Sequence, residues 1–105
     1  MLVDQSRLNT LRAEVGEDVF AEVLEISVQE LDEAIADLDS PNLAKLHFLK
    51  GSALNAGFAE LSALCAVGEA RLKKDPGAYL PTEQFLSIYA ESRSHLLRIL
   101  QTVVG

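Results

Sequence analysis

Apolar side chains recur every three or four positions along nearly the whole chain, in five blocks separated by a few glycines and prolines. Leu8, Leu11 and Val15 form a short first block that Gly16 closes. Phe20, Leu24, Ser27, Leu31, Ala34 and Leu38 follow, with Glu22, Glu25, Glu30, Asp32, Glu33 and Asp37 on the opposite side. Leu43, Leu46, Leu49 and Ala53 lead to Gly57, and Phe58, Leu61, Leu64, Cys65 and Leu72 lead to Asp75-Pro76-Gly77. Phe85, Ile88, Ser92, Leu96, Ile99 and Val103 complete the series. Spacing of this kind puts each set on one face of an α-helix, and no alternating β-branched run competes with it. The pattern predicts helices over 4–15, 17–39, 41–56, 58–74 and 81–103. Ser40 is the expected N-cap of the third helix and Pro41 its first residue, while Gly57 suits the left-handed position that ends it.

Four longer helices joined by short turns predict an all-α fold, an antiparallel up-down four-helix bundle with a short additional N-terminal helix. At 105 residues, 49% of them hydrophobic, the whole chain, 1–105, reads as one domain with one core. That length leaves no room for an ATP-binding fold beside the bundle, and a self-sufficient bundle is expected to be a monomer. The Pro and Gly breaks interrupt any long heptad pattern, which disfavours a coiled-coil dimer. A net charge of −7 argues against nucleic acid and anionic membrane surfaces as partners, and points to a protein or a small molecule. The single cysteine, the lack of a basic, apolar leader and the lack of a membrane-length apolar run together predict a cytoplasmic protein.

The charge is unevenly spread. Residues 1–40 carry 11 acidic and 2 basic side chains, residues 41–74 carry 2 and 5, and residues 75–105 carry 3 and 2. A locally positive middle third in an acidic protein invites a search for an anion. Within it lies Leu46-His47-Phe48-Leu49-Lys50-Gly51-Ser52-Ala53. At about 100° per residue, positions 43, 47, 50, 51 and 54 share a stripe that turns away from Leu46, Leu49 and Ala53. An imidazole on that stripe offers an unprotonated ring nitrogen as a nucleophile. Lys50, one turn on, can set an ammonium beside an anion attached to it. A glycine inside a helix costs about 1 kcal/mol relative to alanine, so Gly51 suggests that something must approach His47 closely, with close helix–helix packing as the rival reading. A tight return at Gly57 brings residues 65–69 beside His47. Glu69 is the polar group available there to bond one imidazole nitrogen and turn the other outward. Arg71, Lys73 and Lys74 follow on the same helix and are expected to add positive charge.

The His-x-x-Lys-Gly-Ser-Ala run, with Gly57 ten residues after the histidine and then Leu61, Leu64, Cys65 and Glu69, resembles the histidine-containing phosphotransfer (HPt) domain of bacterial phosphorelays. The likeness covers most of the chain. It implies a four-helix bundle whose histidine accepts a phosphoryl group from a receiver-domain aspartate and passes it to another receiver. On that resemblance His47 is the phosphoacceptor, Lys50 steadies the phosphoryl oxygens, Gly51 clears space for the receiver and Glu69 orients the imidazole. Leu43, Ala44 and Leu54 would form an apolar collar for the receiver's docking helix. The implied partners are response-regulator receiver domains and a hybrid histidine kinase. The chain itself is expected to be no enzyme and to bind no cofactor, with Mg²⁺ brought by the receiver. Leu46 and Phe48 depart from the small or polar residues that usually flank the family's histidine, and bear on partner preference.

Other chemistries find less in the sequence. A di-iron bundle uses Glu-x-x-His pairs, but Ala44 and Ser92 stand three residues before His47 and His95, and one cysteine makes no zinc site. His95 and Cys65 read as structural residues, Gly68 as a packing glycine and the acidic face of the second helix as a solvated one. The alternative of another class is a phosphorylation-independent bundle that binds a receiver or kinase.

Overall fold

The computed structural model describes residues 2–38 and 41–104, with side chains described as far as 100. Its elements are α1 (Gln5–Val15), α2 (Glu17–Ala36), α3 (Leu43–Asn55), α4 (Ala59–Lys74) and α5 (Thr82–Val104), with no strand among the described residues. The molecule is a helical bundle of about 46 × 22 × 22 Å. α3 packs most extensively on α4, α2 touches α1, α3 and α5, and α4 touches α5.

Helix ends are where the sequence expectations need correcting. α2 stops at Ala36, three residues before its expected end. Leu38, beyond the helix, is still buried at 2% exposure. The expected cap, Ser40, lies outside the described residues. Instead Asn42 caps α3, its side-chain oxygen accepting the Lys45 N–H at 2.9 Å. The helix therefore starts at Leu43, and Pro41 precedes the cap rather than opening the helix. An Asn at the N-cap satisfies one of the first-turn N–H groups that have no intrahelical acceptor. At the other end, Gly57 has φ +76, and its N–H and that of Phe58 reach back to Leu54 O and Ala53 O at 3.1 and 2.8 Å. This pair of backbonds is a Schellman closure, which needs a residue tolerant of positive φ. Gly57 O also accepts the Asp4 N–H at 2.7 Å and so anchors the start of α1 to the α3–α4 corner.

The core follows the apolar faces closely. Leu24, Leu31, Leu46, Leu49, Ala53, Phe58, Leu61, Cys65 and Leu96 are all essentially inaccessible. Val15, Ser27, Ala34, Leu64, Ile88 and Ile99, expected inside, are half-buried at its margin. Leu43 was expected on the core face of α3 as well as on the His47 stripe, and it is 41% exposed, which puts it with the stripe. On α5 the buried face runs through Phe85, Tyr89, Ser92 and Leu96, so Tyr89 takes the inward place next to Ile88. Its ring tilts against Phe58 at 6.0 Å, and its hydroxyl donates to Asp32 on α2, which Arg93 Nε also reaches at 3.2 Å. Gly68 packs as expected. A Cβ there would lie 2.9 Å from Leu46 Cδ1 and 3.3 Å from Leu80 Cδ1, so a methyl would make the end of the buried Leu46 side chain give way.

Candidate functional site

α3 and α4 together position the site. With Leu46 and Leu49 fixed in the core, the 3.6-residue period sets His47 and Lys50 on the side of α3 next to Glu69 of α4 and leaves Gly51 and Leu54 outside. The His47 side chain is 77% exposed, whereas that of Glu69, facing it from α4, is only 8% exposed. Glu69 Oε1 lies 3.7 Å from His47 Nδ1. That is close enough for charge interaction and about half an ångström beyond a hydrogen bond. Glu69 Oε2 accepts from Lys50 Nζ at 3.1 Å. The carboxylate is thus shared between two residues of the facing helix, and its Oε1 is buried with no hydrogen-bond partner.

The sequence placed His47, Lys50 and Gly51 on one stripe and put Glu69 beside the histidine, and the structure brings His47, Lys50 and Glu69 together. It also adds a contact that the sequence reading lacked. Lys50 is paired to Glu69, so its charge is balanced at rest and the site is less positive than the segment count implies. The sequence had set residues 65–69 beside His47, and the carboxylate found there also reaches one turn along α3 to Lys50. Arg71, Lys73 and Lys74, expected to enrich the site, are exposed in the last turn of α4. Among the described residues none of them bonds to His47, Lys50 or Glu69.

Gly51 faces open space, for a Cβ at this position would meet nothing within 4 Å. Close helix packing within the chain therefore does not require this glycine. Leu43 and Leu54 are 41% and 54% exposed, and Ala44 is also at the surface, so all three lie, like His47, on the exposed side of α3. Of the two residues flanking His47, Leu46 is fully buried and Phe48 is 56% exposed. Phe48 and Ala44 line a shallow groove of about 380 Å³ against Glu30, Glu33 and Ala34 of α2.

Cys65, one turn before Glu69 on α4, is a core thiol. Burial and then the nearby Glu69 charge push it up to about 12, with Lys50 acting in the opposite direction. His95 is half-buried on α5. Among the described residues no group of three or more His, Cys, Asp or Glu side chains is arranged to hold a metal ion. No helix is long and apolar enough to cross a membrane among them. A larger groove of about 470 Å³ lies between α2 and α5. It is lined by Leu24, Val28, Leu96 and Leu100, ends at Asp32 and Arg93, and contains none of the residues grouped around His47.

The Asp32–Tyr89–Arg93 cluster was not expected from the sequence. Its signal was the Phe85, Tyr89, Ser92, Leu96 stripe, which steps by four, three and four and competes with the Ile88 stripe. Compared with known proteins, the chain matches no family model, no curated protein and no solved structure.

Proposed function

We propose that this chain is a phosphorelay intermediate of the HPt type: His47 takes a phosphoryl group from a receiver-domain aspartyl phosphate and gives it to the aspartate of another receiver. The observation that carries this reading is an exposed imidazole whose Nδ1 edge faces a buried carboxylate already tied to a lysine one turn away. With the proton on Nδ1 beside Glu69, the Nε2 lone pair points to solvent and is the nucleophile. It forms the N–P bond as the bond from phosphorus to the aspartyl oxygen breaks, and the electron pair leaves with the aspartate carboxylate. Return to a second aspartate reverses the step. Such a transfer needs in-line placement and charge neutralisation more than covalent machinery. Lys50 supplies a cation beside the incoming oxygens, and the receiver supplies Mg²⁺.

The same reading takes α2 to α5 as an antiparallel up-down four-helix bundle with α1 packed on α2. Support comes from the contact pairs: Lys50 with Glu69, Phe58 with Tyr89 and Gly68 with Phe85, and Asp32 with both Tyr89 and Arg93. Leu43, Ala44 and Leu54, joined by Phe48, form the apolar surface on which a receiver docks, and Gly51 leaves it clearance. Supply of phosphate by a hybrid histidine kinase and a place in the cytoplasm belong to this proposal, as does a monomeric chain without kinase activity. A bundle that binds a receiver without carrying phosphate is the second reading, favoured by the same exposed apolar collar.

The test mixes the protein with an aspartyl-phosphorylated receiver and Mg²⁺ and looks for acid-labile, alkali-stable phosphate. Label is expected on the wild type and absent from His47→Gln. No label with any of the source genome's receivers, despite binding to one, supports the second reading. Label surviving in the variant would exclude His47.

A further inference from the structure

The bundle holds a gap between two of its helices that the proposed phosphotransfer does not use. α2 and α5 are joined at Asp32, where the Tyr89 hydroxyl donates to the carboxylate and Arg93 Nε reaches it at 3.2 Å. From that cluster toward Ala21 and Leu100 a groove of about 470 Å³ runs between the two helices. Leu24 and Leu96 beneath it are essentially inaccessible, Val28 and Leu100 are half-buried, and Leu97 is 44% exposed on its edge. A single exposed leucine is ordinary. On α5, however, Leu86, Ala90 and Leu97 are all exposed and step by four and seven along one side of the helix. α5 thus carries a second apolar stripe beside the buried one, and the chain's own helices leave it uncovered. Clustered apolar surface of this kind marks an interaction site.

Charge says what kind of partner fits. Glu25 lines the groove, and Glu22 and Asp18, one and two turns earlier, continue the same side of α2, all three exposed. α2 has no Lys or Arg anywhere between Glu17 and Ala36. Across the groove Arg93 is engaged by Asp32, so its charge is balanced within the fold and the α2 flank stays acidic. A second copy of this chain would bring its own acidic α2 and a net charge of −7 against that flank, which opposes self-association there. A basic partner is the complementary one. A channel that follows two helices accepts a third helix by its apolar face. The stretch from Ala21 to Asp32 is about 16 Å long, or about three turns.

We propose that the α2–α5 groove docks an amphipathic helix of another protein, with apolar residues at i, i+3 or i+4, and i+7 lying on Val28, Leu96 and Leu97, and with Lys or Arg along the flank that meets Glu22 and Glu25. None of the residues grouped around His47 lines this groove, so a protein held here leaves the imidazole open to a second one. The docking site goes beyond the phosphotransfer reading and does not depend on it.

The probe is a fluorescent helical peptide about four turns long, with leucines at that spacing and lysines along one flank, compared with the same peptide carrying glutamates for the lysines. The lysine peptide is expected to bind the full chain saturably. Glu25→Lys should weaken it about fivefold, by turning an attraction at the rim into a repulsion. Leu97→Gln should abolish it. Both positions are exposed, so the urea midpoints of the two variants should match the wild type. Val67→Gln, at an exposed position on α4, should alter neither midpoint nor binding. In amide NMR titrations the signals of Val28, Leu97 and Leu100 should move while those of His47 and Phe48 stay in place. The natural partner is read with a photo-crosslinking residue at position 97 in the source cells. The recovered peptide should come from another protein and carry the apolar spacing with its Lys or Arg flank.

Equal binding of the glutamate peptide, or binding that survives Leu97→Gln in a folded protein, overturns the proposal. So does a crosslinked peptide that comes from this chain or lacks the pattern, or a yield no higher than from a crosslinker at position 67. If a receiver labels His47 while the groove binds nothing, the relay reading stands and the docking site falls. Binding in the groove without any labelling has the opposite meaning.

Discussion

Two glycines lie inside helices of this protein, and their surroundings are opposite. Gly51 on α3 has nothing within 4 Å of where a Cβ would stand, while at Gly68 on α4 that atom would sit 2.9 Å from the terminal methyl of the fully buried Leu46. Gly51→Ala is expected to gain about 0.5–1 kcal/mol from helix propensity alone. Gly68→Ala is expected to lose about 1–2 kcal/mol net, because overpacking in a close-packed core outweighs that gain. Urea unfolding of the two variants side by side checks both signs. The larger Gly51→Gln should fold as well as the wild type and yet, on the proposed relay function, slow transfer from a receiver. An unchanged transfer rate would mean that nothing docks over this face. The sequence already read the two differently, Gly51 as room for an approaching group and Gly68 as a packing glycine, and what stands opposite each one in the fold agrees with that difference.

Individual helices were legible because a period of three to four is printed in the apolar residues of every one of them. Their ends were less so. Ser40-Pro41 is a good local start signal, but Asn42 competes with it, and the Asn42 side chain is the one that bonds the Lys45 N–H. Replacing Asn42 by Ala is expected to cost about 1 kcal/mol, read as a lower urea midpoint with an unchanged slope. At the other end of α3 the local code was sufficient, since positive φ at Gly57 is a backbone requirement that few other residues meet without strain. On α5 the sequence allowed two overlapping stripes. Packing chose the one through Tyr89, whose hydroxyl finds Asp32 and whose ring finds Phe58.

Burial of two weakly acidic groups gives the whole molecule a pH dependence. The thiol of Cys65 is pushed from 9.0 to about 12, chiefly by burial, and the hydroxyl of Tyr89 is raised above its ordinary 10.0 by burial and by its bond to Asp32. Both raised groups hold their protons more tightly when folded. Their contribution to stability is therefore complete below pH 9 and is lost as pH rises, for Cys65 from 9.0 through about 12 and for Tyr89 from 10.0 upward. The urea midpoint should fall between pH 8 and 11. The fall should be shallower in Cys65→Ala, and a thiol reagent at pH 8 should react only once the protein is unfolded. A midpoint independent of pH over this range would mean that neither group is protected in the fold.

What the sequence determined by itself is periodic or local: five helices, their apolar faces, the cap at Gly57, and a stripe carrying His47, Lys50 and Gly51. Each follows from backbone geometry repeated along one chain, so no second element is needed to read it. What only the tertiary structure decided is how two helices share their side chains. Residues 47 and 69 could be counted to about the same level of a hairpin. Counting did not reveal that the Glu69 carboxylate is buried, that Lys50 spends its charge on one of its oxygens, or that the other oxygen faces Nδ1 without a partner. Those facts depend on how closely α3 and α4 pack, to which Gly68 contributes by leaving room for the end of Leu46.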